Sequence, residues 1–151
     1  MSDEMGGWRS HWGLALVVMV CSAFALRAMA LIDATGLWSD ELYTVGKSFQ
    51  PSYNALLAML RLDTHPPLYY SLVWLWGQLL PPSAVTLRLL SWLAYLAGAL
   101  LITAQARALA NQFSLARPRL AEAAAALMAF CSPYPVRFAI EGKGYALLAV
   151  S

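Results

Sequence analysis

Two stretches of this chain, residues 12–32 and 84–106, each run for more than twenty residues with a single charged side chain, Arg27 in the first and Arg88 in the second. Wound as helices, they rise about 30 Å or a little more, which matches the hydrocarbon thickness of a bilayer. Composition agrees: 60% of the residues are hydrophobic and 12% charged, against about 45–50% apolar residues in an average soluble domain. The expected fold is therefore an all-α polytopic membrane protein. Three transmembrane helices are predicted, with an interfacial helix in the first extracytoplasmic loop and the start of a fourth span.

Residues 12–32 form the first predicted span, with Arg27 near enough to one end to snorkel to the interface. The alternative is a signal peptide, with Arg9 in its basic region and "AMA" at 28–30 as a cleavage site. Residues 68–80 (LYYSLVWLWGQLL) lie between two Pro-Pro pairs and rise only about 20 Å as a helix. That is short for a crossing, and Tyr69, Tyr70, Trp74 and Trp76 suit the headgroup level, so an interfacial helix is expected. Residues 84–106 make the second crossing. The loop 107–119 holds three arginines and no acid, which places it in the cytoplasm.

Residues 120–140 make the third crossing, with "SPYP" at 132–135 breaking the helix near its far side, and 141–151 begin the next segment. On this topology residues 33–83 and the chain beyond Arg137 share the extracytoplasmic face of the plasma (inner) membrane. Cys21 and Cys131 sit in apolar surroundings and read as small core residues. Nucleotide-binding glycine loops, zinc-type Cys/His spacing and a serine nucleophile elbow are all missing, and nothing suggests a nucleic-acid partner.

The unusual polar residues fall in three clusters on the predicted outer face. "LWSDELYTV" (37–45) carries Asp40 and Glu41 among apolar neighbours. Ser39 can cap a helix there and the acids suit its dipole, so a capping role competes with a chemical one. "RLDTHPPLYY" (61–70) brings Asp63 and His65, with Pro67 suited to the first turn of a helix; His65 taken alone reads as a loop residue before a catalytic one. "RFAIEGKGYAL" (137–147) brings Arg137, Glu141 and Lys143, where Arg137 and Glu141 could form a plain i, i+4 pair. Gly142 and Gly144 there suit backbone that approaches a ligand closely. Carboxylates and cations together at a membrane face fit a lipid-linked substrate with a phosphate headgroup. The acids could deprotonate an acceptor or hold a divalent metal ion, and the cations could bind phosphate.

With these motifs in order, and with "LRLLS" opening the second span, the chain resembles the membrane-embedded C-type (GT-C fold) glycosyltransferases, in particular the group of the protein O-mannosyltransferases and the lipid A aminoarabinose transferase. The resemblance implies a sugar donor linked to polyprenyl or dolichyl phosphate, inversion at the anomeric carbon, and an extracytoplasmic acceptor that is protein, lipid or polysaccharide. It also implies an active site at Asp40 and Glu41, with Asp40 the base and Glu41 its orienting or metal-holding neighbour. Donor contacts would come from His65, Arg137, Glu141, Lys143 and Tyr145, with Lys143 where the family more often has arginine. Such enzymes are several hundred residues long, so the 151 residues resemble the N-terminal part of one. The rival reading is a small non-catalytic membrane protein, either a degenerate remnant or an assembly or transport subunit, in which these charges only cap helices and pair.

Overall fold

The computed structural model of the chain describes residues 2–61, 63, 67–132 and 141–142, with side chains from residue 14 onward. Among these residues the regular structure is entirely helical: α1 (Ser2–Ala30), α2 (Ser39–Ser48), α3 (Tyr53–Leu60), α4 (Pro67–Leu79), α5 (Ala84–Gln112) and α6 (Pro118–Cys131).

α1, α5 and α6 pack into a bundle around Cys21, Ala25, Tyr95, Ala99, Ala126 and Phe130. Alanine and cysteine at the contacts let the backbones approach closely, the packing mode available where no hydrophobic effect draws helices together. Two polar handles are satisfied across this seam: Tyr95 donates to the Phe130 carbonyl at 2.9 Å, and Trp92 Nε1 to the Ala25 carbonyl at 3.1 Å. The outward faces remain apolar, with Leu14, Val18 and Met19 on α1, Leu100 and Leu101 on α5, and Met128 on α6 all exposed. α5 is long and apolar enough to cross a membrane, and the apolar stretch Leu14–Ala30 of α1 is shorter.

The bounds of the bundle helices differ from those predicted, for local reasons. α5 continues six residues past Ala106, so half of the predicted arginine loop is helix. Ala108, Leu109 and Ala110 favour helix beyond the apolar run. The stop is then made by Ser114 at φ 50°, with Leu115 N–H donating to the Ala110 carbonyl and Ser114 N–H to that of Asn111, a Schellman ending with serine in the usual glycine place. α6 starts with Pro118 in its first turn and stops at Cys131, because Ser132 precedes a proline and is extended. Of the predicted crossing over 120–140, α6 covers the part up to Cys131, and residues 133–140 lie outside the described set.

α2, α3 and α4 form a second layer against the start of α5. α3 is an addition to the predicted elements, begun by Ser52, whose hydroxyl accepts from Ala55 N–H at 3.2 Å. α4 begins at Pro67 as predicted. Its aromatic side chains, expected to face headgroups, turn largely toward protein: Tyr69 and Tyr70 are buried, with Tyr69 packed near Val73 and Leu87, and Tyr70 near Leu56 and Leu60. Trp74 Nε1 donates to the Gln50 carbonyl at 3.0 Å and Trp76 Nε1 to that of Thr86 at 2.9 Å. The polar tips of Tyr69, Trp74 and Trp76 thus find partners inside the fold. Gly77 permits this packing, since a Cβ there would lie 2.5 Å from the Phe49 ring.

Candidate functional site

Leu37 ends an extended connection, and α2 begins behind Trp38, whose backbone is extended (φ −99°, ψ 172°). Trp38, and not Ser39, takes the N-cap position. An indole offers no acceptor, so the first turn relies on Glu41, which reaches back to accept from the Trp38 N–H at 3.4 Å. The helix then alternates its faces. Glu41, Thr44 and Ser48 are buried, while Asp40 and Tyr43 are exposed on the neighbouring stripe.

Glu41 is fully buried and holds the centre of the site. Its Oε1 accepts from Arg88 Nε at 2.8 Å and from the Gly142 N–H at 2.8 Å, and its Oε2 accepts from Arg88 NH2 at 2.7 Å. The Arg88 guanidinium is just as fully used. Its remaining donors reach the carbonyls of Ile32 and Thr35, both at 2.8 Å, and of Gly36 at 3.1 Å. All five N–H groups of the fork are therefore matched to five acceptors. A buried ion pair is tolerable only when its spare lone pairs and protons are satisfied in this way. Burial pushes the Glu41 carboxyl upward, but the Arg88 hydrogen bonds, the Gly142 and Trp38 N–H groups and the Arg88 charge together hold it below the ordinary carboxylate range.

This geometry bears on the metal-holding role expected of Glu41 and leaves the orienting one untouched. A carboxylate whose oxygens already accept four hydrogen bonds, and which is sealed from solvent, cannot hold a metal ion or take a proton from an acceptor without dismantling the site. Glu41 is the partner of Arg88. The Gly142 backbone approaches Glu41 and Leu87 closely, and an added Cβ would stand 2.3 Å from Leu87 Cδ2 and 3.3 Å from Glu41 Oε1.

Of the other predicted site residues, Asp40 is exposed at the first turn of α2, and Glu141 is buried beside Gly142. His65, Arg137, Lys143 and Tyr145 lie outside the described residues, as does Gly144. Glu41 is thus the point where the 37–45 and 137–147 motifs meet, across 101 residues of sequence. Among the described residues no group of three or more acids, histidines or cysteines is placed to hold a metal ion.

Arg88 was the residue that sequence reasoning passed over. The signal was present: a lone arginine inside a long apolar run, with no acid within four residues on its own helix, must find its counter-charge elsewhere in the fold. A second pair, Lys47 with Asp63, joins the last turn of α2 to the segment after α3, and the Lys47 ammonium sits over the rings of Tyr43 (5.9 Å) and Tyr70 (5.5 Å). The hydrogen bond that Lys47 donates to Asp63 raises the Lys47 pKa above its usual value despite partial burial. Beneath them Tyr69 OH and Ser91 Oγ meet at 3.3 Å, and burial raises the Tyr69 phenol well above its ordinary range.

Searches against protein-family models, curated proteins and solved structures find no match to this chain.

Proposed function

We propose that the chain is a multi-pass protein of the plasma (inner) membrane that carries the donor side of an extracytoplasmic glycosyltransferase site. A sugar would pass from a polyprenyl-phosphate donor to an acceptor hydroxyl. The single observation that carries this reading is the bonding of Glu41 to both Arg88 and the Gly142 amide. It fixes Asp40 at the surface one residue from the point where three motif segments converge, and it does so with a buried ion pair that is costly to assemble for packing alone. The motif order described above supplies the reaction class.

In this scheme Asp40 accepts the proton of the acceptor hydroxyl as its oxygen bonds to the anomeric carbon. The bond from that carbon to the phosphate oxygen breaks with its electron pair, and the lipid phosphate leaves. Lys143 and Arg137 are the cations assigned to the phosphate. The apolar outer faces of α1, α5 and α6 and the length of α5 support membrane residence, with 113–117 as the cytoplasmic turn between α5 and α6.

The saturation of Glu41 also favours a second reading, in which the polar cluster is purely architectural. Asp40→Asn separates the two. Membranes containing the chain are supplied with radiolabelled polyprenyl-phosphate sugar, and transfer to endogenous acceptors is followed. A general base predicts a loss of roughly 10²-fold or more at unchanged melting temperature. Unchanged transfer with a lowered melting temperature supports the architectural reading and ends the catalytic one.

A further inference from the structure

The exposed stripe of α2 does more than present Asp40. Asp40, Tyr43 and Lys47 stand at positions i, i+3 and i+7, which places them along one side of the helix over about 10 Å. Tyr43 is one of the more exposed aromatic residues described, at 67% of its full accessibility, although it sits on a helix whose opposite face is well packed. Lys47 is no free surface cation. It is tethered by Asp63, whose side chain is only 6% exposed, and steadied above the rings of Tyr43 and Tyr70.

We infer that Tyr43 and Lys47 form the subsite for the hexose unit of the donor, with Asp63 as the residue that positions Lys47. The inference rests on the glycosyltransferase reading and adds to it the group that this face recognises. A pyranose ring has one face lined with C–H groups and a rim of hydroxyl oxygens. The first suits an exposed tyrosine ring, and the second suits a fixed ammonium donor. Asp63 accepts one of the three ammonium protons, leaving two to donate to sugar oxygens. The order along α2 fits as well, since Tyr43 stands between Asp40 and Lys47 on the same side of the helix, with Asp40 toward its start. An ordinary surface ion pair explains the Lys47–Asp63 contact, but not why a large aromatic ring stands exposed beside it on the stripe that carries Asp40.

The test is equilibrium binding to the chain in lipid nanodiscs with two probes, polyprenyl-phosphate glucose and polyprenyl phosphate. The wild-type chain should prefer the glucosylated lipid. Tyr43→Ala and Lys47→Met should each reduce that preference by roughly tenfold, while affinity for polyprenyl phosphate holds. Tyr43→Phe should keep it. Because Tyr43 is exposed, its variants test the subsite without disturbing the fold, and helical circular dichroism checks this. If the wild type binds both lipids and the preference survives Tyr43→Ala and Lys47→Met, the subsite is wrong and the donor reading stands. If the wild type binds neither lipid, the donor reading fails and the subsite with it.

Discussion

The two layers of this molecule are held by opposite means. In the α1–α5–α6 bundle the buried contacts are made by small residues with Tyr95 and Phe130, the hydrogen bonds of Trp92 and Tyr95 are side-chain tips on carbonyls, and leucine, valine and methionine face outward. In the α2–α4 layer and its junction with α5, the buried set includes Glu41, Thr44, Ser48, Arg88 and Ser91. Non-directional packing tolerates small slips between helices, whereas a five-donor guanidinium set against five acceptors defines one position for the segments it joins. The bundle supplies a platform, and the polar junction supplies register. Chemistry that needs fixed geometry belongs at the junction.

The sharpest way to break this contrast is to remove one charge of the junction. Arg88→Ala should destabilise the outer layer by about 3–5 kcal/mol, since it strands a buried carboxylate and three carbonyls. Replacing both partners with apolar residues (Glu41→Leu with Arg88→Met) should cost far less. Thermal melting in detergent, read alongside protease cleavage at 49–52 between α2 and α3, distinguishes loss of the junction from loss of the bundle. Protons should attack the same bonds. The folded state holds the Glu41 carboxyl below its ordinary 4.5, so the junction's contribution is complete above about pH 4.5 and is lost as pH falls through the lower folded value. Acid should therefore open the outer layer before the bundle. A bundle that melts first, or a junction indifferent to acid, would refute the division of labour.

Gly142→Ala is a milder insult to the same place. Its Cβ would meet Leu87 Cδ2 at 2.3 Å and Glu41 Oε1 at 3.3 Å. Leu87 is fully buried, so it cannot swing aside freely. A loss of about 1–3 kcal/mol is expected, the usual range for overpacking. On the proposed glycosyltransferase reading, transfer should fall further than stability alone requires, because the strain sits on the bond that locates α2. Equal thermal melts for Gly142→Ala and the wild type would show that residues 141–142 are not held where the geometry puts them.

What the sequence disclosed divides along the same line. Apolar runs and proline punctuation located the end of α1 and the starts of α4, α5 and α6 to within two residues, because burial and helix geometry act locally, whereas α1 begins ten residues before the predicted span, α5 runs six residues past Ala106 and α6 stops at Cys131. The junction was half legible. Asp40 and Glu41 stood out as charges among apolar residues, but which of the two was buried depended on Arg88, 47 residues further on, and on a glycine amide 101 residues away. Composition carries no information about such pairings. The α4 aromatics hold long-range partners of the same kind: carbonyls and a serine elsewhere in the fold meet the polar tips of Tyr69, Trp74 and Trp76, and local sequence does not show such pairings.

The smallest effect expected lies at the other end of the molecule. Arg107 and Glu122 join α5 to α6 at 3.4 Å, but the arginine side chain is 55% exposed and the carboxylate 23%. Solvent screens such a pair, and holding two long side chains in one geometry costs entropy, so the net contribution is about 0–1 kcal/mol. Arg107→Ala should accordingly leave the melting temperature almost unchanged, and a rise in salt should abolish whatever difference remains. The bundle can spare this bridge because its α5–α6 seam is held by Tyr95, Ala99, Ala126 and Phe130. Arg107→Ala as costly as Arg88→Ala would mean that the bundle too depends on directional charge pairing. The contrast between the two layers would then lose its physical basis.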